Sequence, residues 1–460
     1  MPSVLALFLC TAFVFFLLRI DHKQSSGLSL ALWVPTVWML IIASKPLGVW
    51  FPFTTRVEDV TSSPLDQIFL ILLLACGLFL LIRRKLNWSK FFRENSWLIV
   101  LLCYMFLSTL WSDMPFVSLK RWIRELIAVV MALLVLSEQN SRRAMQTILR
   151  RTTYILIPFS LLLIKYYPVY GVQYGRWSGE IMWIGVTMQK NGLGRLCIIS
   201  AFFLMWSLWR RMQGRDRPVV KYQTYAELVV LLLTIRLLIG PTLQAYSATS
   251  VLAFIVGLMT FGALLWLNKN RISIRSLPVE SALLLFIVLG TASVFIGSLS
   301  TSHITGALGR DATLTGRTDV WANLLPEAMQ RIVLGHGFGG FWTNKTRLNY
   351  EISEAHSGYL DVLLDIGFFG LILLAIFLMF SCQKAKKGLY YDFNWSTLWI
   401  CYLLMAAVHN ITETSLNSLS SHLTAVLVFM AVTSSATPAL PYEICQKYCD
   451  LLQQKIESEA

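Results

Sequence analysis

A histidine stands where a long polar segment meets an apolar run. His356 lies in Glu354-Ala-His356-Ser357, a few residues before an apolar run that contains Asp361. A neutral imidazole in this position can take a proton from a hydroxyl group near neutral pH. A histidine that is satisfied by a loop carbonyl is the structural alternative, and the sequence leaves both open.

Arg317 is the second residue with suitable chemistry. It lies in Gly-Arg317-Thr-Asp-Val-Trp321, at the start of a stretch with helical periodicity. A guanidinium beside the free N–H groups of a helix start suits a phosphate or diphosphate. A local ion pair with Asp319 or Asp311 explains the pattern equally well, so Asp319 is a candidate for the same site.

Further cations lie near the ends of apolar runs or inside them. Arg176 and Lys190 lie in the segment 169–191, between the apolar runs 152–168 and 192–209. Arg124 lies near the start of the run 118–137, with Glu125 beside it. Arg236 lies inside a run, where a charge is costly and is a functional candidate by default. The alternatives are snorkelling and pairing within the protein. We therefore expect these four cations to help bind a diphosphate or glycan.

The sequence gives no pattern for a metal or a nucleotide. No group of carboxylates and histidines has metal-ligand spacing, so we expect neither a metal nor a cofactor. The glycine-rich segment 334–340 follows no strand and lies in no βαβ unit, which argues against a nucleotide-binding loop. We expect a tight turn there, with His336 in a structural role.

Apolar runs dominate the chain. Hydrophobic residues make up 56% of the sequence and charged residues 14%, whereas soluble domains carry about 25% charged residues. The runs predict an all-α, polytopic transmembrane helix bundle of about 12–13 spans, because about 20 apolar residues cross a bilayer. The predicted spans lie near 3–20, 28–45, 65–82, 96–112, 118–137, 152–168, 192–209, 224–242, 248–267, 279–298, 359–381, 395–412 and 419–436.

Basic clusters between the runs indicate the orientation. Clusters such as Arg83-Arg84-Lys85, Arg150-Arg151 and Arg210-Arg211 are typical of cytoplasmic loops, which places the N-terminus outside and the C-terminus inside. This pattern accounts for the net charge of +14 without a nucleic-acid partner. No basic residue precedes the first run, so we expect it to be retained as a span.

This topology divides the chain into four parts. A transmembrane bundle (1–298) is followed by a long outer loop (299–358), further transmembrane helices (359–437) and a cytoplasmic tail (438–460). From Thr318 to Ile332 the loop has apolar residues at helical spacing. This spacing predicts an amphipathic helix, with Thr318 as its N-cap, that lies on the membrane or caps the bundle.

The order of these motifs resembles the superfamily of O-antigen ligases, O-antigen polymerases and exopolysaccharide polymerases. The motifs are Gly-Arg317-Thr-Asp-Val-Trp, Leu334-Gly-His-Gly-Phe-Gly, His356-Ser357 with the later Gly367 and Gly370, Trp111-Ser112-Asp113, Lys190-Asn191-Gly192 and His409-Asn-Ile-Thr-Glu413-Thr-Ser415. They extend over most of the chain. Their combined order is fairly specific, whereas each motif alone is weak.

The resemblance implies a metal-independent glycosyl transfer at the periplasmic face of the bacterial inner membrane. The donor would be a glycan on undecaprenyl diphosphate, which arginines would hold, and His356 would activate the acceptor hydroxyl within a catalytic loop. Arg317 matches the family's loop arginine, and Arg176 falls where relatives carry a basic residue. Membrane lipids, chain-length regulators and export proteins are the further partners to expect.

One position departs from the family pattern. Relatives often carry a Ser-Arg-Thr type sequence where this chain has Ser247-Ala248-Thr249, so Ala248 replaces a basic residue. Arg236, Arg176 or the cluster at 120–124 can compensate for the missing charge.

Three functions are compatible with this pattern. The late Thr-Glu-Thr-Ser segment favours a polysaccharide polymerase that joins lipid-linked repeat units over an O-antigen ligase that transfers the glycan to lipid A-core. A transporter or flippase for lipid-linked sugars is the alternative of another class. Such transporters tend to show inverted repeats and broken helices near the midplane. This sequence has no detectable repeat, and its ionisable groups collect at one face instead of the midplane.

Overall fold

The computed structural model describes residues 1–25, 27–51, 63–175, 179–213, 221–242, 245–270, 272, 277–299 and 317–434. Within these residues the chain is built of helices, with one small hairpin. Arg176 and the predicted cytoplasmic tail (438–460) lie outside the described residues.

The helices follow the apolar runs in chain order. The first half contains α1 (Ser3–Gln24), α2 (Trp33–Ile42), α3 (Leu47–Trp50), α4 (Pro64–Ile82), α5 (Trp88–Glu94), α6 (Ser96–Ser108), α7 (Pro115–Leu136), α8 (Ser141–Tyr166) and α9 (Pro168–Gly171). The second half contains α10 (Lys190–Met212), α11 (Lys221–Ile239), α12 (Ala248–Lys269), α13 (Val279–Leu299), α14 (Arg317–Gln330), α15 (Asn344–Tyr350), α16 (Gly358–Gly388), α17 (Phe393–Thr412) and α18 (His422–Thr433). Strands β1 (Val172–Tyr174) and β2 (Ile181–Trp183) pair antiparallel.

The predicted all-α polytopic bundle is confirmed, but fewer of the described helices are long and apolar enough to be spans than the 12–13 predicted. Among the described residues, eight helices are long and apolar enough to cross a membrane: α1, α4, α8, α10, α11, α12, α13 and α16. The helices α5 and α6, bent by 81° at their junction, add a ninth if the pair is one span. All thirteen predicted runs fall on helices, but α2, α7, α17 and α18 are shorter or carry more polar residues.

Burial separates central helices from peripheral ones. In α8, 78% of the most apolar stretch is buried inside the protein, whereas in α1 the figure is 22%. A helix that is apolar on all sides must face either protein or lipid. The outward side chains of α1 are therefore the ones that face hydrocarbon, while α8, α17 and α18 form the centre of the bundle.

The glycine-rich segment packs into a break in α16. Gly367 interrupts this helix with φ of +67°, in the left-handed region, and a Cβ there would lie 2.6 Å from the backbone nitrogen of Gly335. The amide of Phe368 donates to Ile332 O at 2.7 Å, and the amide of His336 donates to Leu364 O at 2.9 Å. The predicted tight turn against the bundle is confirmed, and it fixes the N-terminal part of α16.

The histidine of this turn is held by protein atoms. The side chain of His336 is buried, with Nδ1 3.4 Å from Asp113 Oδ2 and Nε2 3.3 Å from the backbone oxygen of Glu327. Both ring nitrogens therefore have neighbours that suit a structural role, as the sequence predicted.

Helix α14 is the predicted amphipathic helix. It buries Trp321, Leu324 and Ala328 and leaves Asp319 exposed. It packs against α13 and α16, so it caps the bundle. The prediction for Thr318 was wrong, because the helix already includes Arg317 and Thr318 is not its N-cap.

Buried ion pairs occupy the other end of the bundle. Arg150 and Arg151 were expected in a loop cluster but lie inside α8, where Arg151 Nε contacts Asp21 Oδ2 at 2.7 Å and Arg150 Nη1 contacts Asp21 Oδ1 at 3.1 Å. Arg211 contacts Glu227 at 2.5 Å. Pairing is what makes charges tolerable at this depth, and these pairs connect α1 and α11 to the central helices.

Candidate functional site

Four ionisable side chains meet beside the N-terminal end of α16. The guanidinium of Arg317, at the start of α14, bonds with Glu413 Oε1. His356 Nδ1 lies 4.0 Å from Glu413 Oε2 and 3.6 Å from Glu354 Oε1. The structure therefore brings together Arg317 and His356, the two predicted catalytic residues, and adds two carboxylates between them.

His356 has an unusual backbone conformation. Its φ is +50°, which few residues other than glycine adopt, and such strain often accompanies a functional constraint. Ser357 then begins α16 as its N-cap, with its hydroxyl accepting from the amide of Leu360. The turn directs Nδ1 toward the two carboxylates and leaves His356 in the lining of an open cavity.

The charges around His356 change its titration. Burial lowers the pKa of His356, but Glu413 and Glu354 outweigh this and raise it above its ordinary value. Burial raises the pKa of Glu354. Burial also acts to raise the pKa of Glu413, but His356 and Arg317 outweigh it and the pKa is lowered. Glu413 is thus held as the anion beside Arg317 and His356.

Asp361 connects the segments that carry these residues. Its buried carboxylate accepts a hydrogen bond of 3.2 Å from the amide of Ala355, the residue before His356. It also accepts a hydrogen bond of 2.5 Å from the hydroxyl of Thr414, the residue after Glu413. The indole N–H of Trp342 donates to the same carboxylate at 2.7 Å. One carboxylate in the first turn of α16 therefore fixes the relative positions of His356 and Glu413.

Two further cations surround the cluster. Lys190, the first residue of α10, is half-buried, and the charges of Arg317 and Glu413 act on it. Arg195, one turn further into α10, donates from Nη1 to Thr414 O at 2.6 Å. The start of α10 lies beside these cations, and the backbone N–H groups of a helix start favour an anion.

A cavity of about 410 Å³ opens beside the cluster. Its volume falls within the range of about 300–1,000 Å³ that is usual for small-molecule sites. Arg195 and Glu354 line one part of it, and Arg121, Arg124 and Asp365 line another. The sequence predicts that the segments lining this cavity lie at one membrane face.

The remaining predicted residues are distributed differently. Arg124 is exposed and lines the cavity. Arg236 is exposed on α11, with its guanidinium 4.8 Å from the ring centre of Trp183, and Asp319 is exposed on α14. Neither of these two residues lines the described cavities. Arg176 lies outside the described residues.

The cluster also has donors that suit a metal ion. The ligand atoms of Glu354, His356 and Glu413 all lie within 4.8 Å of one another. Carboxylate oxygens and an imidazole nitrogen are suitable ligands for several divalent cations. The positive charge of Arg317, already paired with Glu413, opposes the binding of such a cation. The cluster can therefore be tested either as a metal site or as an ion-paired group that acts without a metal.

Sequence reasoning missed Arg195, Glu354 and Asp361 as site residues. Arg195 carried a signal, since a charge within an apolar run is a functional candidate. The two acidic residues stand beside His356 in the sequence, but their contacts depend on how α16 begins. Glu413 was present in a quoted motif without an assigned role.

The fold and the site define a multi-pass membrane protein whose site-forming ionisable groups collect at one end of the bundle. The sequence profile of the O-antigen ligase family matches residues 237–375, a range that includes Arg317 and His356. The exopolysaccharide production protein ExoQ of Rhizobium meliloti (strain 1021) is 27% identical over an alignment of 312 residues that covers 62% of this chain and 63% of that protein. The chain thus matches less than two thirds of the length of this curated relative. The two matches confirm the resemblance to the superfamily of O-antigen ligases and polysaccharide polymerases.

Proposed function

We propose that this protein is a glycosyltransferase that joins undecaprenyl-diphosphate-linked oligosaccharide units at the periplasmic face of the bacterial inner membrane. The observation that carries the proposal is the group formed by Arg317, Glu413 and His356 beside a cavity at one end of a membrane bundle. The family match and the exopolysaccharide role in the relative's name support the same reaction class.

The cations are suited to a diphosphate leaving group. Arg317, Lys190 and Arg195 lie near one another at the start of α10 and α14. Fixed positive charges at the position where negative charge develops stabilise a transition state. A bound diphosphate would compete with Glu413 for Arg317, so the ion pair holds the guanidinium in place until the substrate arrives.

His356 is suited to the acceptor. With Nδ1 facing Glu354 and Glu413, Nε2 remains to accept a proton from a sugar hydroxyl. The hydroxyl oxygen forms a bond with the anomeric carbon of the donor, the bond from that carbon to the diphosphate breaks, and the lipid diphosphate leaves with the electron pair. The two carboxylates stabilise the imidazolium that results.

We favour a polymerase over a ligase. The relative with the exopolysaccharide name and the Thr-Glu-Thr-Ser segment support this choice. Deletion of the gene would distinguish the two functions. Loss of a polymerase leaves single repeat units and no long glycan, whereas loss of a ligase leaves long chains on the lipid carrier.

A transporter is the less favoured candidate. The ionisable groups of the cluster lie at helix ends, in the first residues of α10 and α14 and in the segments before α16 and after α17. Transporter sites lie near the bilayer midplane, typically at broken helices. The position of the cluster therefore supports transfer at one membrane face.

The decisive experiment uses the purified protein with lipid-linked oligosaccharide. We expect longer glycans to form from repeat units, with His356→Ala and Arg317→Ala abolishing the product while both variants insert at normal levels. Addition of lipid A-core as a second acceptor tests the ligase function in the same assay. Transport without any covalent product would contradict the proposal.

A further inference from the structure

The cavity beside the cluster contains buried polar atoms that neither the diphosphate nor His356 accounts for. Asp365 is 4% exposed, and its Oδ1 has no hydrogen-bond partner among the described protein atoms. His422 is 6% exposed, and the same holds for its Nε2. Both residues line the cavity. Ser421 also lines the cavity, and its Oγ likewise has no partner among the described protein atoms. Buried polar atoms are nearly always hydrogen-bonded, so a group of unpaired polar atoms around one cavity suits a bound polar molecule.

The backbone holds Asp365 in this position. It lies one turn beyond Asp361 in α16, two residues before the break at Gly367. The amides of Phe341 and Gly339 hydrogen-bond with its carboxylate. The carboxylate therefore cannot leave its position beside the cavity without losing these contacts, and Oδ1 stays without a partner among the described protein atoms.

The charges of the cavity are nearly balanced. Its lining contains both arginines and carboxylates: Arg121, Arg124, Arg195, Arg347, Glu125, Glu354 and Asp365. A cavity for a diphosphate alone would have little use for carboxylates, which repel it. Carboxylates accept hydrogen bonds from hydroxyl groups, and guanidinium groups donate to hydroxyl and ring oxygens. This mixture suits a neutral molecule with many hydroxyl groups.

Aromatic rings complete the lining. Phe338 and Trp342 both border the cavity, and the indole N–H of Trp342 is engaged by Asp361. The ring of Trp342 is thus fixed in orientation. Ligand sites typically combine such apolar surfaces with a few directed polar groups, and the C–H faces and hydroxyl edges of a sugar match both.

We propose that this cavity is a saccharide site. It binds one sugar residue of the lipid-linked substrate, with Asp365 Oδ1 accepting from one hydroxyl and His422 Nε2 bonding to a second. The inference rests on the proposed function. It adds a sugar-binding pocket to the cations that we propose bind the diphosphate. The sugar belongs either to the donor glycan or to the acceptor, and kinetics separate these two sources.

The test compares two lipids with the purified protein in nanodiscs. One is undecaprenyl diphosphate, and the other is the lipid-linked unit extracted from a strain that lacks this gene. Asp365→Asn keeps the size of the side chain and removes its charge. We expect the variant to bind the glycosylated lipid about 10- to 100-fold more weakly, the cost of one charged hydrogen bond, and to bind undecaprenyl diphosphate as before.

Two results would overturn the saccharide site. Equal weakening for both lipids would place Asp365 in diphosphate binding or in general structure, and unchanged binding of both would remove its role. His422→Gln provides a second variant, for which the same difference between the lipids is expected. Asp392→Asn, at the opposite end of the bundle where Asp392 pairs with Arg142, is the matched control.

The assay also separates this inference from the proposed function. If the unaltered protein binds neither lipid and forms no product, the proposed function fails. If it binds and transfers while Asp365→Asn affects both lipids equally, only the saccharide site fails. In the transfer assay, a higher KM for the lipid-linked donor assigns the cavity to the donor. A higher KM for a water-soluble oligosaccharide acceptor assigns it to the acceptor.

Discussion

Arg317 and Glu413 form an ion pair across 96 positions of the chain. Arg317 begins α14, and Glu413 follows the end of α17. The pair occupies Oε1 of Glu413, while Oε2 faces Nδ1 of His356 at 4.0 Å. A single carboxylate thus couples the candidate diphosphate-binding cation to the candidate base.

Two substitutions of Arg317 should distinguish the effect of its positive charge on kcat/KM from the effect of its guanidinium geometry. Arg317→Ala should reduce kcat/KM by about 10³-fold or more, because it removes a cation from the developing negative charge. Arg317→Lys should recover only part of this, since an ammonium cannot replace the planar fork of a guanidinium. Glycan extension by purified variants measures both effects. Full activity of the alanine variant would exclude Arg317 from the transfer step.

The pH profile should report His356. As a base it must be neutral, and its pKa is raised above the ordinary value of about 6.5 by Glu413 and Glu354. Activity should therefore fall on the acid side, beginning above pH 6.5. Glu413→Gln removes one of the two anions and lowers this pKa, so the acid limb of kcat/KM should move to lower pH.

The direction of that shift is the critical observation. A lower maximal rate alone is expected of Glu413→Gln, because Arg317 also loses its partner. Movement of the acid limb to higher pH, or no movement, would show that His356 does not titrate in the reaction. Asp392→Asn, far from the cluster, should leave the limb where it is.

The sequence predicted the elements of this fold better than their contacts. Every predicted span falls on a helix because apolar runs of this length are distinctive. The contacts of the cluster were not predictable, since Arg317 and Glu413 lie far apart in sequence and either could have paired locally. The expected pairing of Arg317 with Asp319 does not explain its position, because Asp319 is exposed and Glu413 is the carboxylate that Arg317 contacts.

Charges inside the runs or next to them were the hardest to interpret. Arg195 and Arg236 lie inside predicted runs, and Arg150 lies just before one. In the structure Arg195 lines the cavity, Arg236 lies over an aromatic ring and Arg150 is buried against Asp21. Only the packing of neighbouring helices decides among these outcomes. The small hairpin of β1 and β2 was also absent from the predicted elements, because it is too short to give a periodic pattern.

The hydroxyl of Thr414 can be removed to test how Asp361 positions Glu413 and His356. Its hydroxyl donates to Asp361, which also holds Ala355. Thr414→Val keeps the shape and removes this bond, so Glu413 and His356 should become less well aligned. We expect kcat to fall about 10-fold with little change in KM, at a stability cost of about 1 kcal/mol. A change in KM alone would instead point to substrate contact by this segment.

Metal removal tests the alternative interpretation of the cluster. We expect transfer to continue in the presence of a chelator, because arginines supply the positive charge that a metal would otherwise provide. The measurement is glycan extension with and without chelator, followed by addition of Mg²⁺ or Mn²⁺. Loss of activity that either cation restores would identify Glu354, His356 and Glu413 as a metal site and contradict metal independence.

The two arginines within spans should behave differently. Arg195 donates to Thr414 O and lines the cavity, so Arg195→Ala should raise KM for the lipid-linked donor by about 10-fold or more. Arg236 is exposed and lies over Trp183, a contact worth about 0.5–1 kcal/mol at such sites. Arg236→Ala should therefore leave KM near that of the unaltered protein and lower thermal stability slightly. Equal effects of the two substitutions on KM would return Arg236 to the diphosphate-binding group that the sequence predicted.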